Sequence, residues 1–382
     1  MTAMLSSVLS KLCWMYIFSL ATSDFVQIVP SESLPPQVTC MRANNNLDAI
    51  RYDGKIFLAF RTAPTHFASS KTRLYIISSE DGKKWNREAQ IHIGTDMREP
   101  RFLEFNGKLF FYFFEAGKNP LSFSPKKVWG MERASNGEWS ERWQVKGLDG
   151  CVLWRAKVRN GVVYATVYCG GENMYKLGNE AIDILFLTTS DGKQFVSANG
   201  QNPVVARGGS ETDFEFDVDG SLYAVIRNEG GDGETWGGKV CTAPSDDIAN
   251  WRCKPTPFKY DSPLMFRHNE DIYLIARRNL DGEFDKGNRW LPNSLETIYY
   301  LGRYWFTKKR TTLYLLDKNN LTFTPILDLP SKGDTSFPAI VQLSQHEYLL
   351  YNYSSPPQGK DRFWLSGQLH RTVIYSIILK FI

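Results

Sequence analysis

A repeated hairpin signal constrains the fold of this chain more than any other feature of its sequence. In the clearest copy, residues 210–227, two apolar runs flank the pair Asp219-Gly220. Glycine tolerates the positive φ of a tight turn between strands, so the pattern predicts two antiparallel strands. Folding about the turn brings Glu211 beside Arg227. Related patterns occupy residues 50–61, 103–114, 158–168, 266–277 and 343–353.

The spacing of the hairpins predicts how they assemble. The first five turns recur every roughly 50–60 residues, a period typical of propeller blades. Outer strand pairs lie between the hairpins, most clearly at 74–85 and 184–195, and no linker or helical periodicity interrupts them. Propellers grow by repetition, so a chain of 382 residues can form one domain. We predict an all-β, six-bladed β-propeller over residues 24–382, each blade a four-stranded antiparallel sheet.

The first 23 residues predict a cleaved secretory signal peptide. An apolar run at 12–20 follows Lys11, and small residues precede the expected cleavage after Ser23. The run is too short to span a bilayer comfortably, so we expect a secreted protein without stable membrane insertion. An uncleaved anchor and a buried first strand are the alternatives. Glycosylation sequons at Asn320 and Asn352 agree with secretion.

Cysteine positions suggest two cross-strand disulfides. Cys151 and Cys169 bracket one hairpin, and Cys241 and Cys253 bracket another, which leaves Cys40 free. The cysteine and histidine spacings indicate no zinc site, and we expect neither a metal nor a cofactor. A formal charge of +4 without a dense basic block gives no support to a nucleic-acid partner.

Two turn sequences carry a family resemblance. Ser78-Ser-Glu-Asp-Gly-Lys-Lys-Trp85 and Thr188-Thr-Ser-Asp-Gly-Lys-Gln-Phe195 resemble the Asp-box turns of the sialidase superfamily, whose catalytic domain is a six-bladed propeller. The repeat pattern covers nearly all of the predicted mature chain. Asp-boxes lie on the blade rim, so the resemblance supports the fold and says little about the chemistry.

The mouth of the predicted channel concentrates charged and aromatic residues. In a propeller the first strand of each blade lines the channel, and the loop after the second strand returns to the same face. The candidate site residues expected there are Arg42, Arg61, His66, Arg98, Tyr168, Glu211, Arg227, Arg277, Asp334 and Tyr353. Such a concentration favours a binding or catalytic funnel over packing, although Arg98 could form a structural ion pair with Glu115.

The resemblance implies roles for several of these residues. Sialidases bind a sugar carboxylate with three arginines, which match Arg42, Arg227 and Arg277, and a guanidinium can donate two parallel hydrogen bonds to a carboxylate. Glu211 matches the glutamate that activates a nucleophilic tyrosine. We expect Arg61, Arg98, Tyr168 and Tyr353 to be further substrate contacts.

Two positions depart from the family pattern. The nucleophilic tyrosine begins a sixth-blade strand, where this chain has Phe337, which lacks a hydroxyl. The acid/base aspartate follows the second strand of the first blade, where this chain reaches His66. A histidine can move protons near neutral pH, so His66 is the candidate replacement.

Three hypotheses therefore stand. The first is a sialidase-like glycoside hydrolase on a terminal carboxylated sugar of an oligosaccharide or glycoconjugate, with His66 as acid/base, Glu211 as base or carboxylate partner, and Asp334 or an activated water as nucleophile. The second is a polysaccharide lyase on uronic-acid glycans, in which an arginine neutralises the carboxylate and His66, with Tyr112 or Tyr168, moves the proton. The third is a non-catalytic propeller that binds acidic glycans.

Overall fold

The protein forms a closed ring of six antiparallel sheets, which confirms the predicted all-β, six-bladed propeller. The computed structural model describes residues 20–119, 125–171, 174, 182–232, 235–287 and 291–382. Each sheet contains a path of four hydrogen-bonded strands, ordered along the chain from the channel outward in the first five blades.

The strands of the first five blades follow one another in sequence. Blade 1 contains β3 (Ala43–Tyr52), β4 (Lys55–Ala63), β5 (Arg73–Ser79) and β6 (Asn86–Ile91). Blade 2 contains β7 (Asp96–Phe105), β8 (Lys108–Gly117), β9 (Val128–Arg133) and β10 (Trp143–Gln144). Blade 3 contains β11 (Cys151–Arg159), β12 (Val162–Cys169), β13 (Asp183–Thr189), β14 (Val196–Ser197) and the added β15 (Val204–Arg207). Blade 4 contains β16 (Thr212–Phe216), β17 (Leu222–Ile226), β18 (Lys239–Ala243) and β19 (Arg252–Pro255). Blade 5 contains β20 (Asp261–His268), β21 (Asp271–Asn279), β22 (Lys309–Asp317) and β23 (Thr322–Asp328).

Both ends of the described chain meet in blade 6. Its strands β24 (Ala339–Gln342), β25 (Glu347–Ser354) and β26 (Val373–Phe381) are completed by β1 (Leu20–Thr22) and β2 (Val26–Val29), which both pair with β26. Most of the predicted signal peptide, residues 1–19, lies outside the described residues. Cleavage after Ser23 remains a prediction, and it would remove β1 while leaving β2 in place.

Two short helices depart from the predicted all-strand pattern. Helix α1 (Asn293–Trp305) lies between β21 and β22, and α2 (Trp364–Gln368) lies between β25 and β26. The charges of α1 suit a helix, with Glu296 in its first turn and Arg303 in its last. Apolar side chains on both its buried and exposed sides obscure the helical period. No helix in the described residues is long and apolar enough to cross a membrane.

The predicted disulfides are present. Cys151 and Cys169 are directly opposite each other on β11 and β12, with Cα atoms 4.2 Å apart. Cys241 and Cys253 face each other on β18 and β19, with Cα atoms 4.0 Å apart. Cys40 is free, and burial raises the pKa of its thiol to about 11. Each disulfide therefore links neighbouring strands of one blade.

The two turns that resemble Asp-boxes, residues 78–85 and 188–195, share one geometry. Oδ1 of Asp81 accepts hydrogen bonds from the backbone N–H groups of Lys83 and Lys84 at 2.8 and 3.0 Å, and Asp191 does the same for residues 193 and 194. These donors hold the pKa of Asp81 at about 2. The Tyr112 hydroxyl donates to the carbonyl of Gly192 at 2.8 Å, so it joins blade 2 to the blade 3 turn. This position excludes Tyr112 from the channel mouth, where the lyase hypothesis required it.

Candidate functional site

Bulges at the channel ends of the first strands shape the candidate site. Register shifts occur near the start of β3, β7, β11 and β20. Asn46, Glu99 and Ser262 lie in three of these shifts with φ of 42°, 52° and 51°. Such left-handed backbone at non-glycine residues costs about 1–3 kcal/mol each and is common where a side chain must be re-aimed. All three residues line one cavity.

The cavity has a volume of about 250 Å³ and lies at the channel mouth. It combines charges of both signs with aromatic rings. Its lining comprises Arg98, Arg227, Arg277, Glu99, Glu211, Glu229, His66, Phe67, Tyr168, Phe337, Tyr353, Trp364, Asn46, Asn119, Ser262, Gln368, Ala68 and Ala116.

Arg227 is held by carboxylates. Its Nη1 donates to Oε1 of Glu211 at 2.8 Å, as the hairpin pattern predicts. Its Nη2 lies 3.0 Å from Glu229, and its Nε donates to Asp261 at 3.2 Å. The other oxygen of Glu211 accepts the backbone N–H of Ser262 at 2.6 Å. Glu211 thus joins blade 4 to blade 5. Burial raises the pKa of Glu211, against the lowering effect of Arg227 and Arg277.

Arg277 has a different environment. Its Nε donates to the carbonyl of Thr335 at 2.6 Å, and its Nη2 donates to Oγ of Ser262 at 3.3 Å. Its Nη1 donates to the hydroxyl of Tyr304 at 3.0 Å, and that hydroxyl donates in turn to Asp261. Within the described residues, no carboxylate forms an ion pair with Arg277. Among the described residues, its positive charge therefore reaches a carboxylate through the Tyr304 hydroxyl, which links it to Asp261.

Arg98 shares one carboxylate with Arg61. Nε of Arg98 lies 2.5 Å from Oδ2 of Asp96, whereas Nη2 of Arg61 lies 2.6 Å from Oδ1. Nη2 of Arg98 donates to the carbonyl of His66 at 2.7 Å. The expected pairing of Arg98 with Glu115 is not formed, because Asp96 takes its place. Two guanidinium groups on one carboxylate leave a net positive charge beside the cavity.

Asp334 joins His66 to Tyr353. Its Oδ2 lies 2.6 Å from Nδ1 of His66, and its Oδ1 accepts the Tyr353 hydroxyl at 2.9 Å. A carboxylate can only accept, so the imidazole proton lies on Nδ1. Burial lowers the pKa of His66, although Asp334 opposes the shift, and burial raises the pKa of Tyr353 well above 10. Near neutral pH the site therefore holds a neutral imidazole and a protonated phenol.

Glu99 is a cavity residue that the sequence analysis did not identify. It lies in the β7 bulge, and one oxygen accepts from Nδ2 of Asn46 at 3.3 Å. Burial is the main cause that raises its pKa to about 7, against the nearby Arg101. The signal available in sequence was a charged pair, Arg98-Glu99, just before the apolar part of a first strand. A carboxyl group with such a pKa can both donate and accept a proton near neutral pH.

The structure separates the sequence-predicted residues into two groups. Those that line the cavity are His66, Arg98, Tyr168, Glu211, Arg227, Arg277 and Tyr353. Arg61 and Asp334 are fully buried behind it. Arg42 is exposed just before β3 and does not line the cavity, because the bulged strand presents Asn46 there instead. Sequence reasoning also missed Tyr304 and Trp364, which come from the two helices.

The fold is shared with solved structures of low sequence identity. A protein of unknown function from Dyadobacter fermentans aligns with a TM-score of 0.65 and 15% identity, over 95% of this chain and 99% of that one. Trypanosoma rangeli sialidase aligns with a TM-score of 0.61 and 14% identity, over 95% of this chain and 60% of that one. Penicillium chrysogenum alpha-L-arabinanase, complexed with arabinobiose, aligns with a TM-score of 0.56 and 12% identity, over 93% of this chain and 98% of that one. The chain therefore has the sialidase-like six-bladed propeller fold, and it spans 60% of the length of that sialidase. No protein-family model and no curated protein sequence matches it.

Proposed function

We propose that the protein is a glycoside hydrolase that acts on a terminal carboxylated sugar of an acidic oligosaccharide or glycoconjugate. The observation that carries the proposal is the buried carboxylate of Asp334, bonded to both Tyr353 and His66 at the wall of an arginine-lined cavity. A hydroxyl within hydrogen-bond reach of a base, which a third group orients, is the geometry of an activated nucleophile. The sialidase and the arabinanase of the same fold support a glycosidase.

Arg98 and Arg277 are the proposed carboxylate ligands. Both line the cavity, Arg277 has no carboxylate partner in the described part of the chain, and Arg98 shares Asp96 with Arg61. Arg227 already contacts three carboxylates, so we assign it to holding Glu211 and Glu229. In this proposal Arg98 replaces Arg42 as the third arginine at the mouth.

Tyr353 is the proposed nucleophile. It lies on β25, beside the segment just before β24 that contains Phe337. The backbone carbonyl of Tyr353 accepts the N–H of Ser336 at 3.3 Å. The phenol oxygen attacks the anomeric carbon while its proton passes to Asp334 and the glycosidic C–O bond breaks. Glu99, whose protonated form predominates below its pKa of about 7, donates its proton to the leaving oxygen. His66 positions Asp334.

Water completes the cycle. The ionised Glu99 takes a proton from water, whose oxygen attacks the anomeric carbon, and the bond to Tyr353 breaks. Asp334 then returns the proton to the phenol oxygen. Two displacements at one carbon retain the anomeric configuration.

Matched substrates test this function. The full chain is assayed with fluorogenic sialosides and glucuronides and with the corresponding glucosides, which lack the carboxylate. We expect release from carboxylated substrates only, and nuclear magnetic resonance should show a product of retained configuration. Release from glucosides at equal rates would contradict the arginine assignment, and an inverted product would contradict Tyr353 as nucleophile. Binding of the acidic sugars without any product would favour the non-catalytic alternative.

A polysaccharide lyase is the second candidate, because the site also holds a neutral imidazole. Its Nδ1 is directed to Asp334, so Nε2 is available to remove a proton beside a carboxylate that an arginine neutralises. Tyr168 lines the same cavity. A lyase acting on uronate polymers would form an unsaturated uronate whose conjugated carboxylate absorbs at short ultraviolet wavelength, whereas hydrolysis would not.

We also propose that the protein is secreted. Two disulfides are compatible with an oxidising compartment. Expression in a secreting host, followed by mass measurement of the mature N-terminus, tests the proposed cleavage after Ser23. A full-length N-terminus on protein retained in the cytosol would contradict it.

A further inference from the structure

The outward face of α1 is apolar, although it is exposed. Residues 295, 298, 299, 302, 305 and 306 follow helical spacing and form a single stripe. Leu295, Ile298, Tyr299, Trp305 and Phe306 are all exposed, with Phe306 at 62%. The stripe contains no charged side chain. A surface helix normally turns charged or polar residues outward, so this face is built for an apolar environment.

Helix α2 extends this surface. Phe363, just before α2, lies with its ring centroid 5.4 Å from that of Phe306, and Leu369, just after α2, is 48% exposed. Together these seven residues form what we term the α1–α2 patch. The described part of the chain has seventeen large exposed hydrophobic residues, and seven of them lie in this patch. Five of the seventeen are aromatic, and four of those five lie in the patch. Scattered exposed apolar residues are ordinary, but this concentration marks an interaction surface.

The patch adjoins the mouth of the cavity. Trp364, which follows Phe363, lines the cavity, and Cζ of Arg277 lies 5.4 Å from its ring centroid. Gln368 of α2 also lines the cavity, and its carbonyl accepts the backbone N–H of His66 at 3.1 Å. Whatever covers the patch therefore lies next to the opening through which a substrate enters.

Basic residues flank the apolar surface. Lys308 follows Phe306, and Lys360 and Arg362 precede Phe363. Lys308 and Lys360 are exposed, and Asp361 is the acidic residue among them, 3.7 Å from the Lys308 amine. Aromatic and aliphatic side chains flanked by lysine and arginine suit the interface of a lipid bilayer, where rings enter the headgroup region and cations meet anionic headgroups. The aliphatic members favour lipid over a sugar chain, which would stack on aromatic rings alone.

We propose that the α1–α2 patch binds the surface of a lipid bilayer and that anionic lipids strengthen this binding. The protein associates peripherally through the patch, with the cavity mouth facing the headgroups. This inference does not depend on the proposed hydrolase activity, because membrane binding is measured without a sugar substrate.

Vesicle co-sedimentation of the full chain tests the proposal. We expect binding to phosphatidylcholine vesicles and tighter binding when phosphatidylserine is included. The double variant Phe306→Ser/Phe363→Ser removes two exposed rings and should weaken binding about tenfold for each ring. The matched control Val196→Ser/Val218→Ser removes two exposed apolar side chains elsewhere and should bind as the wild type does. Equal thermal unfolding of the variants confirms that all of them are folded.

Charge reversal separates the two contributions. Lys308→Glu/Lys360→Glu should reduce binding to vesicles with phosphatidylserine and leave binding to phosphatidylcholine alone unchanged. The proposal is overturned if the wild type binds neither kind of vesicle, or if the Phe306→Ser/Phe363→Ser variant binds as tightly as the wild type. It is also overturned if the patch instead drives self-association, seen as a wild-type dimer by light scattering that the same variant abolishes.

Discussion

The hydroxyl of Tyr304 accepts a hydrogen bond from Nη1 of Arg277 at 3.0 Å. The same hydroxyl donates to Asp261, which in turn accepts from Nε of Arg227 at 3.2 Å. A residue from the helix inserted in blade 5 thus joins the two arginines of blades 4 and 5. Because neither guanidinium can rotate without breaking this chain, Tyr304 is a positioning residue for the proposed carboxylate site.

Tyr304→Phe should raise KM for the carboxylated substrate by roughly tenfold, because it removes a hydrogen bond to a charged group and leaves Asp261 partly unpaired. The value of kcat should change much less, since Tyr304 does not line the cavity. Steady-state kinetics measure both. Tyr299→Phe, on the exposed side of the same helix, is the control. An unchanged KM in Tyr304→Phe would show that Arg277 keeps its position without this contact.

Tyr353→Phe should abolish hydrolysis while binding of the acidic sugar remains. The substitution removes the proposed nucleophilic oxygen and its bond to Asp334. Isothermal titration measures binding, and aglycone release measures turnover. Tyr351→Phe is a matched control two residues earlier on β25, since the Tyr351 hydroxyl has no hydrogen-bond partner in the described part of the chain. Turnover by Tyr353→Phe at the wild-type rate would remove Tyr353 from the mechanism.

Activity should follow a bell-shaped pH profile with its upper limb near pH 7. Burial raises the pKa of Glu99 to about 7, and the proposed acid must be protonated, so the rate falls as pH rises through that value. The lower limb lies below pH 6.5, because burial lowers the pKa of His66 and its protonation disturbs the contact with Asp334. The pH dependence of kcat/KM measures both limbs. Glu99→Gln should remove most of the activity, and the residual activity should no longer fall as pH rises through 7. If the residual activity still falls there, Glu99 is not the acid.

Stability should also respond to Glu99. Its folded pKa of about 7 lies above the ordinary value of 4.5, so the folded state binds more protons between these values. The free energy of unfolding therefore falls as pH rises from 4.5 to 7, by about 3 kcal/mol from this group. Glu99→Gln should lose that contribution, as denaturant titration at several pH values would show. Glu104→Gln, at an exposed position of the same strand, is the control and should show the wild-type dependence of the free energy of unfolding on pH. The prediction is contradicted if Glu99→Gln also keeps the wild-type dependence.

The fold was predictable because its signals are local and repeated. An Asp-Gly or Asn-Gly turn between apolar runs favours a hairpin, as at residues 53–54, 106–107, 160–161 and 219–220. Together with the weaker copies at 266–277 and 343–353, these hairpins leave few architectures other than a propeller. The pairing of Glu211 with Arg227 followed from the same hairpin register. Cross-strand disulfides followed from cysteines that bracket neighbouring strands.

The site was less predictable because single-residue geometry decides it. A bulge in β3 presents Asn46 to the channel and leaves Arg42 outside, and a one-residue shift reverses which side chains face inward. Another bulge buries Glu99 and thereby changes its pKa. Tyr304 and Trp364 reach the site from inserted helices whose positions no repeat pattern encodes.

Ring closure in blade 6 has a consequence for biosynthesis. β2 pairs with β26, and Val26 lies opposite Ser376 although the two residues lie near opposite ends of the described chain, so the last sheet cannot be completed until β26 has been synthesised and is free to fold. That sheet contains Tyr353 and adjoins Asp334. The network of Tyr353, Asp334 and His66 therefore reaches its final form only after β26 has paired with β25 and β2.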